Sequence, residues 1–319
     1  MKVLVTGGTG MVGSAFRNMQ KDTAHEFILV GSEEADLTSY EKTSRMLEQK
    51  KPDAVIHLAA KVGGVKGNTD FVADFFSDNV LINTNLLNAC NAQGISRVVS
   101  LLSTCVYPDV VNYPLTEDQI HNGEPHHSNF GYAYAKRMID VHSRALRAQY
   151  GRNYVCAVPN NLYGLHDNFD LENGHVIPAI IRKVWEAKNT GNPPVFWGDG
   201  SPLREFTFAN DIAKALTFVL ENYNSKEPIN VGSTEEVSIV SVVQTVCELL
   251  NYKGKVVWDT SQPAGQYKKP SCNKRFKELG WDDLNYTPLA EGLSKTIEWF
   301  KSVYPNVRGV NNKTLEANL

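Results

Sequence analysis

The sequence has little cysteine and no cysteine pattern typical of a disulfide framework or a zinc site. Only five cysteines occur in 319 residues, and no two form a CxxC pair. An odd number without metal-ligand spacing predicts five free thiols and no metal site. These features argue against a small disulfide-stabilised domain. Each thiol taken alone is most typical of a small buried hydrophobic residue.

Long apolar runs and an excess of one charge are also missing. The longest apolar runs, such as residues 98–102, are far too short to cross a bilayer. Thirty-two basic and 35 acidic residues give a net charge of -3, which does not favour a nucleic-acid or anionic-membrane partner. The amino terminus begins with a strand pattern instead of a signal peptide. We therefore expect a cytoplasmic protein with neither kind of partner.

Short β-rich runs alternate with amphipathic segments along the first half of the chain. The runs lie at residues 2–6, 27–30, 54–58, 97–102 and 154–158. Strands separated by helix-length segments predict βαβ units around a parallel sheet. Right-handed crossovers then give a doubly wound α/β (Rossmann) fold.

The alternation loosens after residue 165. Residues 166–175 predict a loop, 176–188 a helix and 190–202 a Gly/Pro-rich connection, and the polar tail after Tyr304 is expected to be mobile. We predict a dinucleotide-binding domain over residues 1–165, to which a segment at about 205–232 returns. The remaining chain, 166–319, is predicted to form mainly a smaller substrate-binding α/β lobe.

A glycine-rich loop, "TGGTGMVG", lies between the first strand and the first helix. Gly7 permits the tight turn, Gly10 lets the backbone approach a pyrophosphate, and Gly13 lets helix and strand pack closely. The strand before and the helix after favour a dinucleotide site over a purely structural loop. The predicted cofactor contacts of this loop are Gly7, Gly8, Thr9, Gly10, Met11, Val12 and Gly13.

The end of the second strand bears on the choice between NAD and NADP. An acidic residue there would bind the ribose diol of NAD, but Gly31 and Ser32 occupy the place. This favours NADP(H), although Glu33 and Glu34 follow and no arginine is near. Asp36 and Leu37 are candidates to border the adenine. A helix-capping role is the alternative for Asp36.

Tyr132 and Lys136 in "NFGYAYAKRMID" stand four residues apart on a predicted helix and so on one face. An ammonium beside a phenol lowers the phenol pKa, which allows the tyrosine to exchange a proton with a carbonyl oxygen. Ser103, after the fourth strand, would donate a hydrogen bond to the same oxygen. The alternative is an amphipathic helix with a packed tyrosine and a solvated lysine. The glycine loop and Ser103 together favour catalysis.

Several motifs together carry a resemblance over nearly the whole chain. "TGGTGMVG", "HLAA", "NVLINTNLL", "STCVYP", "YAYAK" and "GDGSPLREFTFANDIA" resemble the extended short-chain dehydrogenases/reductases that act on nucleotide sugars. Within that superfamily, "KVGGVKGN", "NLYGLHDNFD", "NGHVIPAIIRK" and "FWGDGSPLREF" resemble the GDP-L-fucose synthase family. That family epimerises GDP-4-keto-6-deoxy-D-mannose at C3 and C5 and reduces its C4 ketone with NADPH.

The resemblance implies roles for two further residues. Cys105 would be the base and His175 the acid of the epimerisations, and both residue types exchange protons near neutral pH. From the residues alone, a packed thiol and a helix-capping histidine remain open alternatives. The resemblance adds cofactor contacts at Leu101, Leu102, Lys136, Pro159, Asn160, Asn161, Leu162 and His175, and substrate contacts at Lys183, Trp197 and Arg204.

The chain departs from the family in "SQPAGQYKKP". Family members often carry a substrate-binding aspartate before the glycine, where this chain has Ala264 before Gly265. That contact is not carried over, and Lys268 or Lys269 is a candidate to replace it.

Partners and alternatives follow from the same comparison. The resemblance implies a homodimer packed through helices near residues 79–91 and 132–149, with a GDP-sugar as the small-molecule partner. One alternative is an NAD-dependent nucleotide-sugar 4-epimerase or dehydratase of the superfamily. Another is a non-catalytic dinucleotide-sensing protein, which would not need Tyr132 and Lys136.

Overall fold

A computed structural model describes residues 1–20, 23–262 and 267–310. Its strands are β1 (Lys2–Thr6), β2 (Glu26–Val30), β3 (Ala54–His57), β4 (Arg97–Leu101), β5 (Asn153–Pro159), β6 (Asn161–Tyr163), β7 (Val195–Trp197), β8 (Leu203–Phe208), β9 (Ile229–Val231), β10 (Glu236–Ser238) and β11 (Val257–Asp259). Its helices are α1 (Met11–Met19), α2 (Tyr40–Lys50), α3 (Val65–Asp70), α4 (Val72–Ala92), α5 (Phe130–Tyr150), α6 (Val176–Thr190), α7 (Ala209–Asn222), α8 (Ile239–Leu249), α9 (Lys274–Glu278) and α10 (Leu289–Val303).

Six strands form a parallel sheet in the order β2-β1-β3-β4-β5-β9. The central strands are buried along most of their length, because helices cover both faces of the sheet. The predicted doubly wound fold is therefore confirmed. Since parallel strands end at one edge, the loops after β1, β3, β4 and β5 meet there.

Two apolar layers enclose this sheet. On one face, α1 and α7 pack through residues such as Phe16 and Leu216. On the other face, α2, α4 and α5 contribute residues such as Leu47, Leu87 and Ile139. No helix in the described part of the chain is long and apolar enough to cross a membrane.

A third core belongs to the second half of the chain. The sheet β10-β8-β6 and the pair β11-β7 pack with α6, α8 and α10 around residues that include Ile181, Phe206 and Phe300. Strand β7 lies within the segment predicted as a Gly/Pro-rich connection. Its three residues pair with β11, and so short a strand leaves little pattern to read.

The segment after Tyr304 differs from its prediction as a mobile tail. Val307 and Val310 are buried in the third core. The carbonyl oxygen of Arg308 accepts from the Phe169 amide at 2.9 Å, and that of Gly309 accepts from Arg182 Nη1 at 2.9 Å. Residues 305–310 are therefore packed on the protein, because Val307 and Val310 are buried and two backbone carbonyl oxygens accept hydrogen bonds. Residues 311–319 lie outside the described part.

Candidate active site

The glycine loop has the shape that a pyrophosphate site requires. Gly7 has φ +68°, and a Cβ there would lie 2.9 Å from the Ala59 nitrogen. A Cβ on Gly13 would overlap the Gly7 carbonyl oxygen. At Gly10 that same oxygen, at 3.3 Å, is the one neighbour within 4 Å among the described residues. Gly10 also precedes α1 without a side-chain cap, so the open amides at the helix start fit a diphosphate.

The end of β2 is closed to a large side chain. A Cβ on Gly31 would lie 2.7 Å from Thr9 Cγ2. Asp36 does not cap α2, whose N-cap is Ser39. Instead the Asp36 carboxylate accepts from the amide and hydroxyl of Thr38, and these hydrogen bonds lower its pKa. The Leu37 side chain is buried in the core, which leaves its backbone for a cofactor contact.

The loop after β4 carries the predicted serine and thiol. Ser103 precedes a 3₁₀ turn, Thr104–Val106, and its hydroxyl accepts from the Cys105 amide at 3.3 Å. Lys136 on α5 donates from Nζ to the Leu101 carbonyl oxygen at 2.9 Å. The same Nζ lies 5.9 Å from the centroid of the Tyr132 ring. The ends of β4 and α5 therefore bring Ser103, Cys105, Tyr132 and Lys136 together.

Burial reverses the predicted direction of the Tyr132 pKa. Burial raises it well above the ordinary phenol value, and the neighbouring Cys105 raises it further. Burial also lowers the pKa of Lys136 to about 8. The rise of the Tyr132 pKa is opposite in direction to the lowering expected from Lys136, because burial is the largest influence and the ammonium lies 5.9 Å from the ring centroid. Tyr132 is a neutral phenol at neutral pH and so a proton donor.

Two side chains from distant segments surround Cys105. Asn129 donates from Nδ2 to Cys105 Sγ at 3.0 Å. Lys269 donates from Nζ to the Thr104 carbonyl oxygen at 3.0 Å. Burial lowers the pKa of Lys269, and the nearby Cys105 partly offsets that change. Lys269 was predicted only as a replacement for a missing aspartate, and Ala264 and Gly265 lie outside the described residues.

His175 lies at the start of α6, at its N-cap position. Its side chain is 51% exposed, and its Nδ1 is 3.7 Å from Oδ1 of the buried Asp167. Among the described residues, no hydrogen bond or ion pair joins His175 to Cys105. The segment after β3 contacts the neighbourhoods of both, since the Gly64 amide donates to the Asn173 carbonyl oxygen at 2.9 Å and α3 packs on the 3₁₀ turn His127–Asn129.

The residues predicted to contact the cofactor at the end of β4 and around the connection between β5 and β6 leave mainly their backbone atoms available to it. Leu102 and Pro159 are buried, and Leu101 and Leu162 are half-buried. Asn160 accepts from the Thr207 hydroxyl at 2.7 Å and donates to the Ser233 carbonyl oxygen at 2.5 Å. Asn161 donates from Nδ2 to the Glu205 carbonyl oxygen at 2.9 Å. The side-chain amides of both asparagines are thus already hydrogen-bonded to other parts of the protein.

Glu205 is a buried carboxylate that links this connection to the segment after Lys269. It accepts from the amide and hydroxyl of Ser271 at 2.9 and 2.6 Å, and from Asn160 Nδ2 at 3.5 Å. Burial raises its pKa.

The predicted substrate residues fall on two neighbouring elements. Lys183 donates from Nζ to the Val195 carbonyl oxygen on β7 at 2.8 Å, and Trp197 at the end of β7 is 65% exposed. Arg204 on β8 is half-buried, and its charge lowers the pKa of Lys269. The structure therefore places Lys183 against the strand that ends at Trp197, and Arg204 on the separate strand β8.

The sequence analysis predicted neither the contact of Asp167 with His175 nor that of Asn129 with Cys105. Both contacts join residues that lie apart in the sequence, at 8 and 24 positions. Asp167 stands in "NLYGLHDNFD", a motif used for the resemblance, but its spacing to His175 carries no helical or strand signal.

Comparison with known proteins agrees with this geometry. The profile of the NAD dependent epimerase/dehydratase family matches residues 3–232. The GDP-L-fucose synthase of Dictyostelium discoideum is 42% identical over 96% of this chain and 97% of its own, and a probable GDP-L-fucose synthase of Drosophila melanogaster is 42% identical over 96% and 99%.

A solved structure gives the same result. The GDP-L-fucose synthetase of Naegleria fowleri bound to NADP superposes with a TM-score of 0.90 at 40% identity, over 96% of this chain and 94% of that one. The chain therefore belongs to the NAD dependent epimerase/dehydratase family and, within it, to the GDP-L-fucose synthases.

Proposed function

We propose that this protein converts GDP-4-keto-6-deoxy-D-mannose to GDP-L-fucose with NADPH. The observation that carries the proposal is the thiol of Cys105 beside Tyr132, Ser103 and Lys136. A reductase that only delivers hydride to a ketone has no use for a second proton-transfer group there. The curated relatives named GDP-L-fucose synthase and the NADP-bound synthetase support both the substrate and the cofactor.

Proton transfer at carbon is the task of Cys105 and His175. The C4 ketone acidifies the hydrogens on C3 and C5, so a base that removes one leaves an enolate. Cys105 acts as that base, and Ser103 and Tyr132 hold the enolate oxygen by hydrogen bonds. His175 returns a proton from the opposite face, which inverts the carbon.

Reduction at C4 uses the same oxygen-binding groups. Bound NADPH supplies a hydride to C4. The open backbone at Gly10 and the start of α1 hold the pyrophosphate, and Lys136 binds the nicotinamide ribose. Tyr132, a neutral phenol near pH 7, donates its proton to the C4 oxygen as that oxygen gains charge.

The second half of the chain binds the nucleotide sugar. Arg204 and Lys183 meet the diphosphate, and the exposed face of Trp197 packs on the ligand. The proposed division is thus a cofactor domain over residues 1–165 with 205–232, and a substrate lobe over most of 166–319. Strand β9 supports the return of the later segment, since it pairs with β5.

The proposed assembly is a cytoplasmic homodimer joined through α4 and α5. These helices pack together and leave large apolar side chains exposed, namely Phe76, Leu81, Tyr134 and Val141 at 43%, 45%, 39% and 55%. Covering such residues with a second copy would remove apolar surface from water.

The test is a direct assay with GDP-4-keto-6-deoxy-D-mannose and NADPH. We expect NADPH oxidation to match the sugar nucleotide consumed, with GDP-L-fucose as the product identified by NMR. Turnover without net NADPH oxidation would instead identify an epimerase or dehydratase. Cofactor binding with no reduction would identify a non-catalytic sensing protein.

A further inference from the structure

Asp167 is a buried carboxylate placed behind His175. Its side chain is 5% exposed, whereas that of His175 is 51% exposed. Oδ1 accepts from the Asn168 amide at 2.7 Å and lies 3.7 Å from His175 Nδ1. Oδ2 is buried and has no hydrogen-bond partner among the described residues. A buried carboxylate with an unsatisfied oxygen is costly unless a positive group compensates for it.

The loop that carries Asp167 is fixed on both sides. The buried Arg182 on α6 donates from Nη1 to the Phe169 carbonyl oxygen at 3.0 Å. The Phe169 amide donates to the Arg308 carbonyl oxygen at 2.9 Å, and the Gly174 amide donates to the Asp170 carbonyl oxygen at 2.9 Å. Asp167 is therefore held in place, and it can orient the imidazole without itself moving.

We propose that Asp167 is the positioning residue for His175: its carboxylate faces Nδ1 and orients the imidazole so that Nε2 can deliver a proton to the substrate. Carboxylates fix the tautomer and orientation of histidines in this way at many sites. The inference rests on the proposed function, in which His175 is the acid.

The charges around His175 favour this role. The Asp167 carboxylate beside Nδ1 is the largest influence and raises the His175 pKa, while partial burial and the positive charge of Arg308 lower it. The net direction is upward. Without the carboxylate, partial burial and the positive charge of Arg308 remain as the influences on His175, so its pKa should fall.

Asp167→Asn tests the proposal with little change of shape. Asparagine keeps an oxygen for the Asn168 amide but carries no charge. At a pH above the His175 pKa of both the wild type and the variant, each unit by which this pKa falls lowers the protonated fraction of His175 tenfold. At a pH below both pKa values, the imidazole is protonated in both proteins and the fraction is unchanged. We therefore expect turnover relative to wild type to fall more at pH 8 than at pH 6, by up to about tenfold for each unit by which the His175 pKa falls. Glu172→Gln is the control, since Glu172 is an exposed carboxylate of the same loop paired with Lys66, and it should show no such pH effect.

A second readout does not depend on turnover. NMR titration of ¹³C-labelled histidine should follow the eight histidines, with His175→Gln used to assign the signal. The His175 pKa should lie above 6.5 in the wild type and fall in Asp167→Asn. An unchanged pKa, or an equal loss of activity at both pH values, would overturn the proposal. If wild type lacks the proposed activity, the titration still tests the pair, so the two failures are distinguishable.

Discussion

The side-chain amide of Asn129 donates to the sulfur of Cys105 over 3.0 Å. Asn129 ends the 3₁₀ turn that precedes α5, whereas Cys105 belongs to the turn that follows β4. The hydrogen bond therefore ties the proposed base to the helix that carries Tyr132. The Asn129 Oδ1 atom is buried without a partner among the described residues.

Asn129→Leu should weaken epimerisation without weakening cofactor binding. Leucine has a similar size but cannot hold the sulfur, and small misplacements of a reacting group are costly. We expect the exchange of sugar C3 and C5 hydrogens with deuterated water to slow about tenfold or more. Mass spectrometry of the sugar nucleotide measures exchange, and NADPH titration checks the cofactor site. Exchange at the wild-type rate would mean that the contact does not matter.

Cys105→Ser should abolish most of that exchange. A serine hydroxyl ionises far less readily than a thiol near neutral pH and so supplies almost no anionic base, and loss of a general base costs about 100-fold or more. NADPH affinity should stay unchanged. Cys247→Ser on α8, a half-buried thiol with no proposed role, is the matched control. If Cys105→Ser still exchanges normally, another group is the base.

Tyr132→Phe should separate the two halves of the reaction. Without its phenol proton the C4 oxygen cannot be neutralised during reduction, so NADPH oxidation should fall by about 100-fold or more. Exchange at C3 and C5 should fall less, because Ser103 still binds the enolate oxygen. Stopped-flow absorbance follows NADPH, and the exchange assay runs in parallel. Equal losses in both assays would argue against a distinct role in reduction.

Two glycine substitutions should distinguish cofactor binding from folding. Gly10→Ala brings a methyl group to 3.3 Å from the Gly7 oxygen, a much milder contact than at Gly13, so the fold should persist while NADPH affinity falls about tenfold or more. Gly13→Ala forces a methyl group against that same oxygen and should lower the free energy of unfolding by about 1–3 kcal/mol. Fluorescence titration and urea unfolding measure these effects. Unchanged affinity in Gly10→Ala would remove the loop from the pyrophosphate site.

His57 should make the fold sensitive to acid. It lies between Thr6 and Asn83 in the core, and burial, with a smaller effect of Lys136, lowers its pKa to about 3. The unfolded chain binds this proton near pH 6.5 and the folded chain does not, so stability falls as pH drops from about 6.5 towards 3. Between pH 7 and pH 5 this contribution is about 2 kcal/mol.

Urea unfolding of His57→Gln at the two pH values tests the sign. The variant should be less stable than wild type at pH 7, because the buried network is disturbed. It should lose less stability than wild type on going to pH 5. A difference between the two proteins that does not depend on pH would contradict the buried, neutral histidine.

The sequence predicted what is encoded over short distances. Alternating apolar runs located β1 to β5 within one or two residues, and the glycine loop was identified from its place between β1 and α1. The direction of the Tyr132 pKa was not predictable, since the spacing to Lys136 carries no information on desolvation. Contacts such as Asp167 with His175 depend on how the loop folds over α6. The packed segment 305–310 likewise depends on a distant partner, Arg182.

The buried carboxylate of Glu205 is hydrogen-bonded to segments of both the proposed cofactor site and the proposed substrate site. Its chain neighbour Arg204 is proposed to bind substrate, and its partner Ser271 follows Lys269 by two residues. Its other partner, Asn160, lies in the connection proposed to line the cofactor. Loss of that carboxylate would leave Asn160 and Ser271 without a shared hydrogen-bond partner, and it should disturb the proposed cofactor and substrate contacts together.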